Sequence, residues 1–361
     1  MARRCGLATC RDLIQVVPAW RTGDNNVVFV ATERKVWSPL PQITHRDLVA
    51  FADEKVNLKQ SEVDDQRAQV NRLRDRIEAK IAVSPGYGFV KALHAGSVAK
   101  GTALRNVNDR DLAVYVKAEQ APDETPALVN WVRDRVVEAY PALHEDQIVA
   151  STNCVNVRFA GTGLEVDVVP VLYEGEPGDV GYLVSKDDGT RLRTSVRQHL
   201  DFIRGRKKAY PTYLAQLIRF TKWWARQQRK RDGEFKCKSF MLELLWIHLA
   251  DGGLVLSDYA EALEQFFAFI ANGGLNGQIA FTDFHPASDL PGRGSTPIQI
   301  LDPVNFENNV AEHYEARDRD WLVSAAQDAF DAISTAYYEP ATGQAVELWQ
   351  DVLGTGFKAA A

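Results

Sequence analysis

Two aspartates one residue apart, Asp109 and Asp111, stand at the mouth of the apolar run LAVYV. Successive side chains of a strand alternate between faces, so both carboxylates leave the same side. Carboxylates held this way can bridge hard divalent cations, and Mg²⁺ favours such oxygen ligands together with substrate phosphates. Gly96-Ser97 lies upstream at a strand-to-turn junction, followed by the basic step Lys100-Gly101-Thr102. Backbone N–H groups and a small hydroxyl at such a junction can meet phosphate oxygens. A third acid, Asp167, sits inside the strand-like run LEVDVVPV. A carboxylate there is costly unless paired or metal-bound. An Asp-x-Asp step alone is weak evidence, since a solvated turn explains most such steps. The Gly-Ser pair and Asp167 turn the set toward metal-dependent phosphoryl transfer.

These residues need strands to hold them. Residues 91–95 read as a short strand delivering the chain to Gly96, and 112–116 as a second. Residues 153–159 and 164–172, joined by Gly161-Thr162-Gly163, read as a β-hairpin. Thr44 opens a helical region in which Val63, Val70, Leu73, Ile77 and Ile81 mark one face of a long helix, closed by Ser84-Pro85-Gly86. Leu128, Val129, Val132, Val136 and Val137 give residues 126–140 a helical period. Beyond Tyr182 the pattern turns helical, over 211–229, 238–250, 258–271, 312–336 and 344–353, with 273–294 as a long Gly- and Pro-containing loop. The segment 238–250, KSFMLELLWIHLA, is apolar nearly all round and is expected to be buried. Residues 1–43 show only one short strand candidate, VVFVA at 27–31.

Composition bounds the class. The chain has 361 residues, is 45% hydrophobic and 25% charged, and contains no apolar run long enough to span a bilayer. No signal peptide is expected, and the dispersed Cys5, Cys10, Cys154 and Cys237 argue against a zinc ribbon or disulfide framework, so a cytoplasmic setting fits. A net charge of −6 speaks against a generally cationic nucleic-acid binder. It hides a basic band over 191–238, where fifteen Lys/Arg face three acids. Such a band suits a solvated helix face, or a site for polyphosphate or nucleic acid.

The combination GS-x2-KGT-x6-D-x-D, a lone Asp in LEVDVVPVL, the helix LIRFTKWWARQ, the buried KSFMLELLWIHL and the run ILDPVNFENNVA resembles the DNA polymerase β-like nucleotidyltransferases. Within that superfamily it is most similar to the bacterial cGAS/DncV-like nucleotidyltransferases (CD-NTases), relatives of the 2′-5′ oligoadenylate synthases. The resemblance covers residues 45 to 357 and leaves out 1–43. It implies an α+β fold, with a nucleotidyltransferase core around a small mixed sheet (44–182) and a C-terminal helical lobe (183–361) closing over the nucleotide.

By the same resemblance, Asp109, Asp111 and Asp167 are the metal-binding and catalytic triad for two Mg²⁺ ions, for which Mn²⁺ can substitute. Gly96 and Ser97 contact phosphate, Lys222 and Ser239 reach the donor triphosphate, and Lys100 and Thr102 support the loop. The implied activity joins nucleoside triphosphates, ATP among them, into a cyclic oligonucleotide messenger of anti-phage signalling. Linear 2′-5′ synthesis, nucleotide addition to RNA or a small molecule, and a non-enzymatic nucleotide binder are the alternatives. The implied partners are the triphosphates, a regulatory protein or nucleic-acid activator, and an effector reached through the product, with no membrane. Trp223, Trp224, Trp246, Phe266 and Phe267 are expected in the core and His94 as a strand residue. Tyr182 and Tyr210 are the better placed for stacking on a base.

Overall fold

The computed structural model describes residues 14–23, 26–35, 41–105, 109–118 and 127–360. Cys5 and Cys10 lie outside them. β1 (Ile14–Gly23) and β2 (Asn26–Lys35) pair antiparallel, and the strand expected at 27–31 is part of β2.

The helical region after Thr44 is two helices where the sequence suggested one. α1 (His45–Phe51) is closed at its N-terminus by Asp47, whose Oδ2 accepts from the Thr44 N–H and hydroxyl at 2.7 and 2.6 Å. A π-turn over Ala52–Val56 follows, and Asn57 then turns extended to bridge Leu104. The chain breaks its helix there to brace the exit of the Gly96 loop, which the apolar period could not register. α2 (Gln60–Ile81) resumes, burying Val70, Leu73, Ile77 and Ile81.

The central sheet follows: β3 (Tyr87–Ala95), the five-residue α3 (Gly96–Lys100), β4 (Asp109–Ala118), α4 (Ala127–Ala139), β5 (Ile148–Ala150), β6 (Val155–Phe159), β7 (Leu164–Leu172), β8 (Gly181–Val184) and β9 (Arg191–Thr194). Its order is β3-β4-β7-β6-β5, with β8 pairing the end of β7 and β9 pairing β8. Among the described strands of this sheet, only β4 and β7 run parallel to each other. Leu112, Val114, Val116, Val166 and Val168 share one buried cluster with α2 and α4. Ala113, Tyr115 and Val171 face the other way, toward Val196. Period-2 alternation therefore places Asp109, Asp111 and Asp167 on that second face.

That face meets α5 (Val196–Ala209), a helix not anticipated from the sequence because its stretch is dominated by charge, and then α6 (Tyr213–Arg231), α7 (Ser239–Asp251) and α8 (Tyr259–Ala271). β10 (Gln278–Ile279), β11 (Gln299–Asp302) and β12 (Asn305–Asn309) make a small sheet before α9 (Ala316–Tyr338) and α10 (Thr342–Leu353). The last five-strand increment, β8 to β12, lies where the sequence pattern read as helical and loop. Its strands span two to five residues each, too short to display a period.

Trp224, Trp246, Phe266 and Phe267 are fully buried, and Trp246 stacks on Phe266 at 4.5 Å. Trp223 is half-buried. Each large side chain so buried contributes about 1.5–3 kcal/mol. Ile43, Leu48 and Phe51 join this same core, so the first helix packs on the C-terminal lobe. Phe357 closes the chain onto Phe51 and Trp349, and the Ala360 N–H donates to Asp47 Oδ1 at 2.7 Å. Among the described residues no helix is long and apolar enough to cross a membrane.

Candidate active site

Two registers bring the three aspartates together. In the antiparallel pair β3–β4, Ala95 lies opposite Asp111, so the turn into α3 begins beside that carboxylate. In the parallel pair β4–β7, Asp111 lies opposite Asp167. Gly96 has φ +64°, and a Cβ there would sit 1.6 Å from Asp111 Oδ2. Only glycine permits both the backbone angle and the approach. Asn156, opposite Asp167 on β6, donates from Nδ2 to its Oδ1 at 3.1 Å and fixes that carboxylate.

Crowding of like charges is visible in the acids. Burial, then Asp109 and Asp167, push the Asp111 carboxyl up to about 6, against the smaller opposing pull of Lys100 and Arg110. Asp109 is raised by burial, Asp167 and Glu165. Burial, with Asp167 next, pushes the Cys154 thiol up to about 11. Such a carboxylate set suits a hard divalent cation, which would relieve the repulsion. Among the described residues no three His, Cys, Asp or Glu side chains have closed to metal-ligating distance.

The loop after Gly96 is tied into the helical lobe. Gly101 ends α3 in the left-handed region at φ +70°, and the Thr102 N–H donates to the Ser97 carbonyl at 2.8 Å. Lys207 donates to the Lys100 carbonyl and Arg219 to the Gly101 carbonyl, each at 2.8 Å. Beneath lies Glu243, buried on α7, which accepts from Lys100 at 2.9 Å, Lys222 at 2.6 Å and the Thr102 hydroxyl at 2.7 Å. Burial alone would raise its pKa, but Lys100 and Lys222 hold it down at about 2.

This network decides where the remaining expected residues stand. Lys100 ends α3 and Thr102 follows it, and both brace that turn on Glu243. The Lys222 side chain is only 4% exposed, and its ammonium also donates to Thr102 Oγ1 at 2.9 Å. It is thus placed beneath the loop, with Glu243 and Thr102 as its partners. Ser239 is exposed at the first position of α7. Of the two stacking candidates, Tyr210 donates its hydroxyl to the Ala250 carbonyl and Tyr182 donates to Glu176. His94 pairs with Asn71 at 2.8 Å as a strand residue. Much of the basic band is spent internally, through Lys207, Arg219 and Lys222.

A cavity of about 460 Å³ opens between α3 and the helical lobe, reached by Gly96, Lys100 and Lys238. Leu183, Leu192, Val196, Leu200, Phe240 and Val310 give it apolar walls, and His199, Asp302 and Asn308 are polar points on it. That balance is typical of a small-molecule site. Sequence reading did not single out Glu243, His199, Asp302 or Asn156. Glu243 and Asp302 carry the signal that marked Asp167, a lone acid in an apolar segment.

The family model of the Second Messenger Oligonucleotide or Dinucleotide Synthetase domain matches residues 43–203. The chain is 42% identical to a cyclic AMP-AMP-AMP synthase of Escherichia coli (strain MS 115-1) over 316 residues, 88% of this chain and 98% of that protein. It is 27% identical to a CBASS oligonucleotide cyclase, CdnC, of E. coli (strain KTE188), again over 88% of this chain and 98% of the relative. Among solved structures, E. coli MS115-1 CdnC with ATP matches at TM-score 0.80 and 42% identity, covering 88% of this chain and all of that one. The same protein in complex with HORMA-deltaN matches equally well, at 0.80 and 41%, over 88% of this chain and 99% of that one. With the paired aspartates, the glycine turn and the helical lobe in place, the chain belongs to the CD-NTase family of nucleotidyltransferases, the cyclic oligonucleotide synthases.

Proposed function

We propose that this chain joins ATP into a cyclic trinucleotide, cyclic AMP-AMP-AMP, and releases pyrophosphate at each transfer. The base and ring size rest on the 42% identical synthase and on its structure with ATP. The observation that carries the chemistry is the in-register pairing of Asp111 with Asp167, with Gly96 seated against Asp111.

In this reading Asp109, Asp111 and Asp167 would hold two Mg²⁺ ions, or Mn²⁺ in their place. When bound, such ions neutralise phosphate charge and make a ribose hydroxyl more acidic. Gly96 and Ser97 offer backbone N–H groups and a hydroxyl to the phosphates. Asp167, held by Asn156, is oriented to take the proton of the attacking hydroxyl. Lys100 reaches the cavity from the loop, while Lys222 and Glu243 keep that loop rigid. Ser239, at the start of α7, offers a further hydroxyl to the triphosphate.

The product would serve as a diffusible signal to an effector in anti-phage defence, the role the family resemblance implies, and one relative is named a CBASS oligonucleotide cyclase. A HORMA-type regulatory protein is the proposed partner, because the 41% identical E. coli MS115-1 CdnC is solved in complex with HORMA-deltaN. Incubation with ATP and Mg²⁺, with that class of regulator present, should release pyrophosphate. Asp109→Asn and Asp111→Asn should each reduce release to background with the fold intact. Sustained release by either variant would overturn the assignment of the site.

A further inference from the structure

The helical lobe grips the exit of α3 by its main chain. Arg219, Lys222 and Arg226 lie on one face of α6, and Lys207 joins them from α5. Each donates to a different carbonyl of the exit. Lys207 serves Lys100 and Arg219 serves Gly101, each at 2.8 Å, while Lys222 serves Thr102 and Arg226 serves Arg105, each at 3.3 Å.

Arg219 joins more of the chain than a single carbonyl. Its Nη1 donates to Gly101, its Nε to Asn57 Oδ1 at 2.9 Å and its Nη2 to Gln216 Oε1 at 2.8 Å. Asn57 is the extended residue that bridges Leu104, so one guanidinium holds the α3 exit and the segment that braces it. All three acceptors are neutral protein groups. The charge of Arg219 therefore serves to place the backbone.

The Gly101 carbonyl and the Thr102 N–H belong to one planar peptide unit. Arg219 binds one end of that plane, and the other end donates to the Ser97 carbonyl at 2.8 Å. Lys207 treats the preceding plane in the same way, since the Gly101 N–H donates to the Val98 carbonyl at 3.0 Å. Ser97 thus stands one rigid unit away from α6. It follows Gly96, which is seated against Asp111. Any tilt of the plane shifts that pair relative to the carboxylates.

Resting on the nucleotidyl-transfer reading above, we propose that Arg219 is a positioning residue for the reaction, its fork fixing where Gly96 and Ser97 present the triphosphate to the three aspartates. It acts through the loop and sets alignment without adding a contact to substrate. Reacting geometry is sensitive to shifts of about 1 Å, so its loss falls on kcat more than on KM. A lysine keeps the charge but lacks the planar fork, so it does not replace Arg219.

The test is steady-state pyrophosphate release from ATP and Mg²⁺ by the full-length chain, with the HORMA-type regulator present and Tm measured alongside. Arg219→Lys and Arg219→Ala should each lose kcat by about tenfold or more, with KM for ATP within about threefold of the unmodified protein. Added millimolar guanidinium should restore part of kcat in Arg219→Ala, and none in Arg219→Lys or Asp111→Asn. A kcat of Arg219→Lys within about twofold of the unmodified protein overturns the inference, as does a loss carried by KM. Failure of guanidinium to restore any kcat in a folded Arg219→Ala overturns it too, leaving Arg219 a stabilising role alone. If Arg219→Ala does not fold, the kcat-against-KM split in Arg219→Lys decides. Absence of release by the unmodified protein would instead count against the nucleotidyl-transfer reading, and this inference with it.

Discussion

At the scale of single residues, the site is defined by carboxylates brought closer than they would choose. The Asp111 carboxyl, lifted from 3.8 to about 6, holds its proton more tightly folded than unfolded. Its contribution to stability is therefore full below pH 4 and is lost as pH rises through 6. Asp111→Asn should accordingly raise the stability of the metal-free protein at pH 7.5, by on the order of 2 kcal/mol, and leave it unchanged near pH 4. Chemical denaturation of both proteins at the two pH values checks the sign, and an asparagine that destabilises at pH 7.5 would contradict it. Added Mg²⁺ should stabilise the native protein and not the variant. Gly96→Ala meets the opposite fate. Its Cβ would fall 1.6 Å from Asp111 Oδ2 at a φ of +64°. A loss of about 1–2 kcal/mol from the backbone angle alone, plus loss of nucleotidyl transfer, is expected in melting and turnover assays.

At the scale of elements, α3 is a short helix whose position is set from below. Glu243 on α7 gathers Lys100 and Thr102 from the loop and Lys222 from α6. Glu243→Gln leaves a buried ammonium without its counter-charge, a change that costs about 3–5 kcal/mol. Urea unfolding should show it, and a loss below about 1 kcal/mol would mean that the Glu243 cluster does not hold the loop. The aspartates mark what the sequence could and could not convey. Strand placement was legible, because Leu112, Val114 and Val116 alternate with the acids and because Asp167 is conspicuous among valines. The identity of its neighbours was not. Register between β4 and β7 is a tertiary fact, and nothing in a linear pattern tells that Asp111 and Asp167 stand opposite. Lys222 shows the same limit in reverse. A lysine in a basic band reads as available, and only the fold reveals Glu243 beside it. The short strands β8–β12 and the charge-dominated α5 were hidden because neither presents enough apolar positions to show a period.

At the scale of the whole molecule, two packed regions line one cavity, the sheet side through Ala95, Gly96 and Lys100 and the helical lobe through Lys238, Phe240 and Val310. The paired aspartates stand on the sheet beside Gly96. Neither half lines the cavity alone. The N-terminal α1 and the C-terminal Phe357 lock together within the helical lobe's core. Phe357→Ala should therefore loosen both chain ends, lowering stability by about 3–5 kcal/mol, with hydrogen exchange accelerated in α1 as well as in the tail. Unchanged exchange in α1 would show that the ends are independent. The chain's assigned activity is the closing of a ring of nucleotides. The direct measurement is the product formed from α-labelled ATP and Mg²⁺ with the regulatory protein present, treated with phosphatase and weighed by mass spectrometry. Label retained in a species with the mass of three joined AMP units and no terminal phosphate is the predicted result. Label recovered only in linear oligomers with a free 5′ end, or in untransformed ATP, would contradict it.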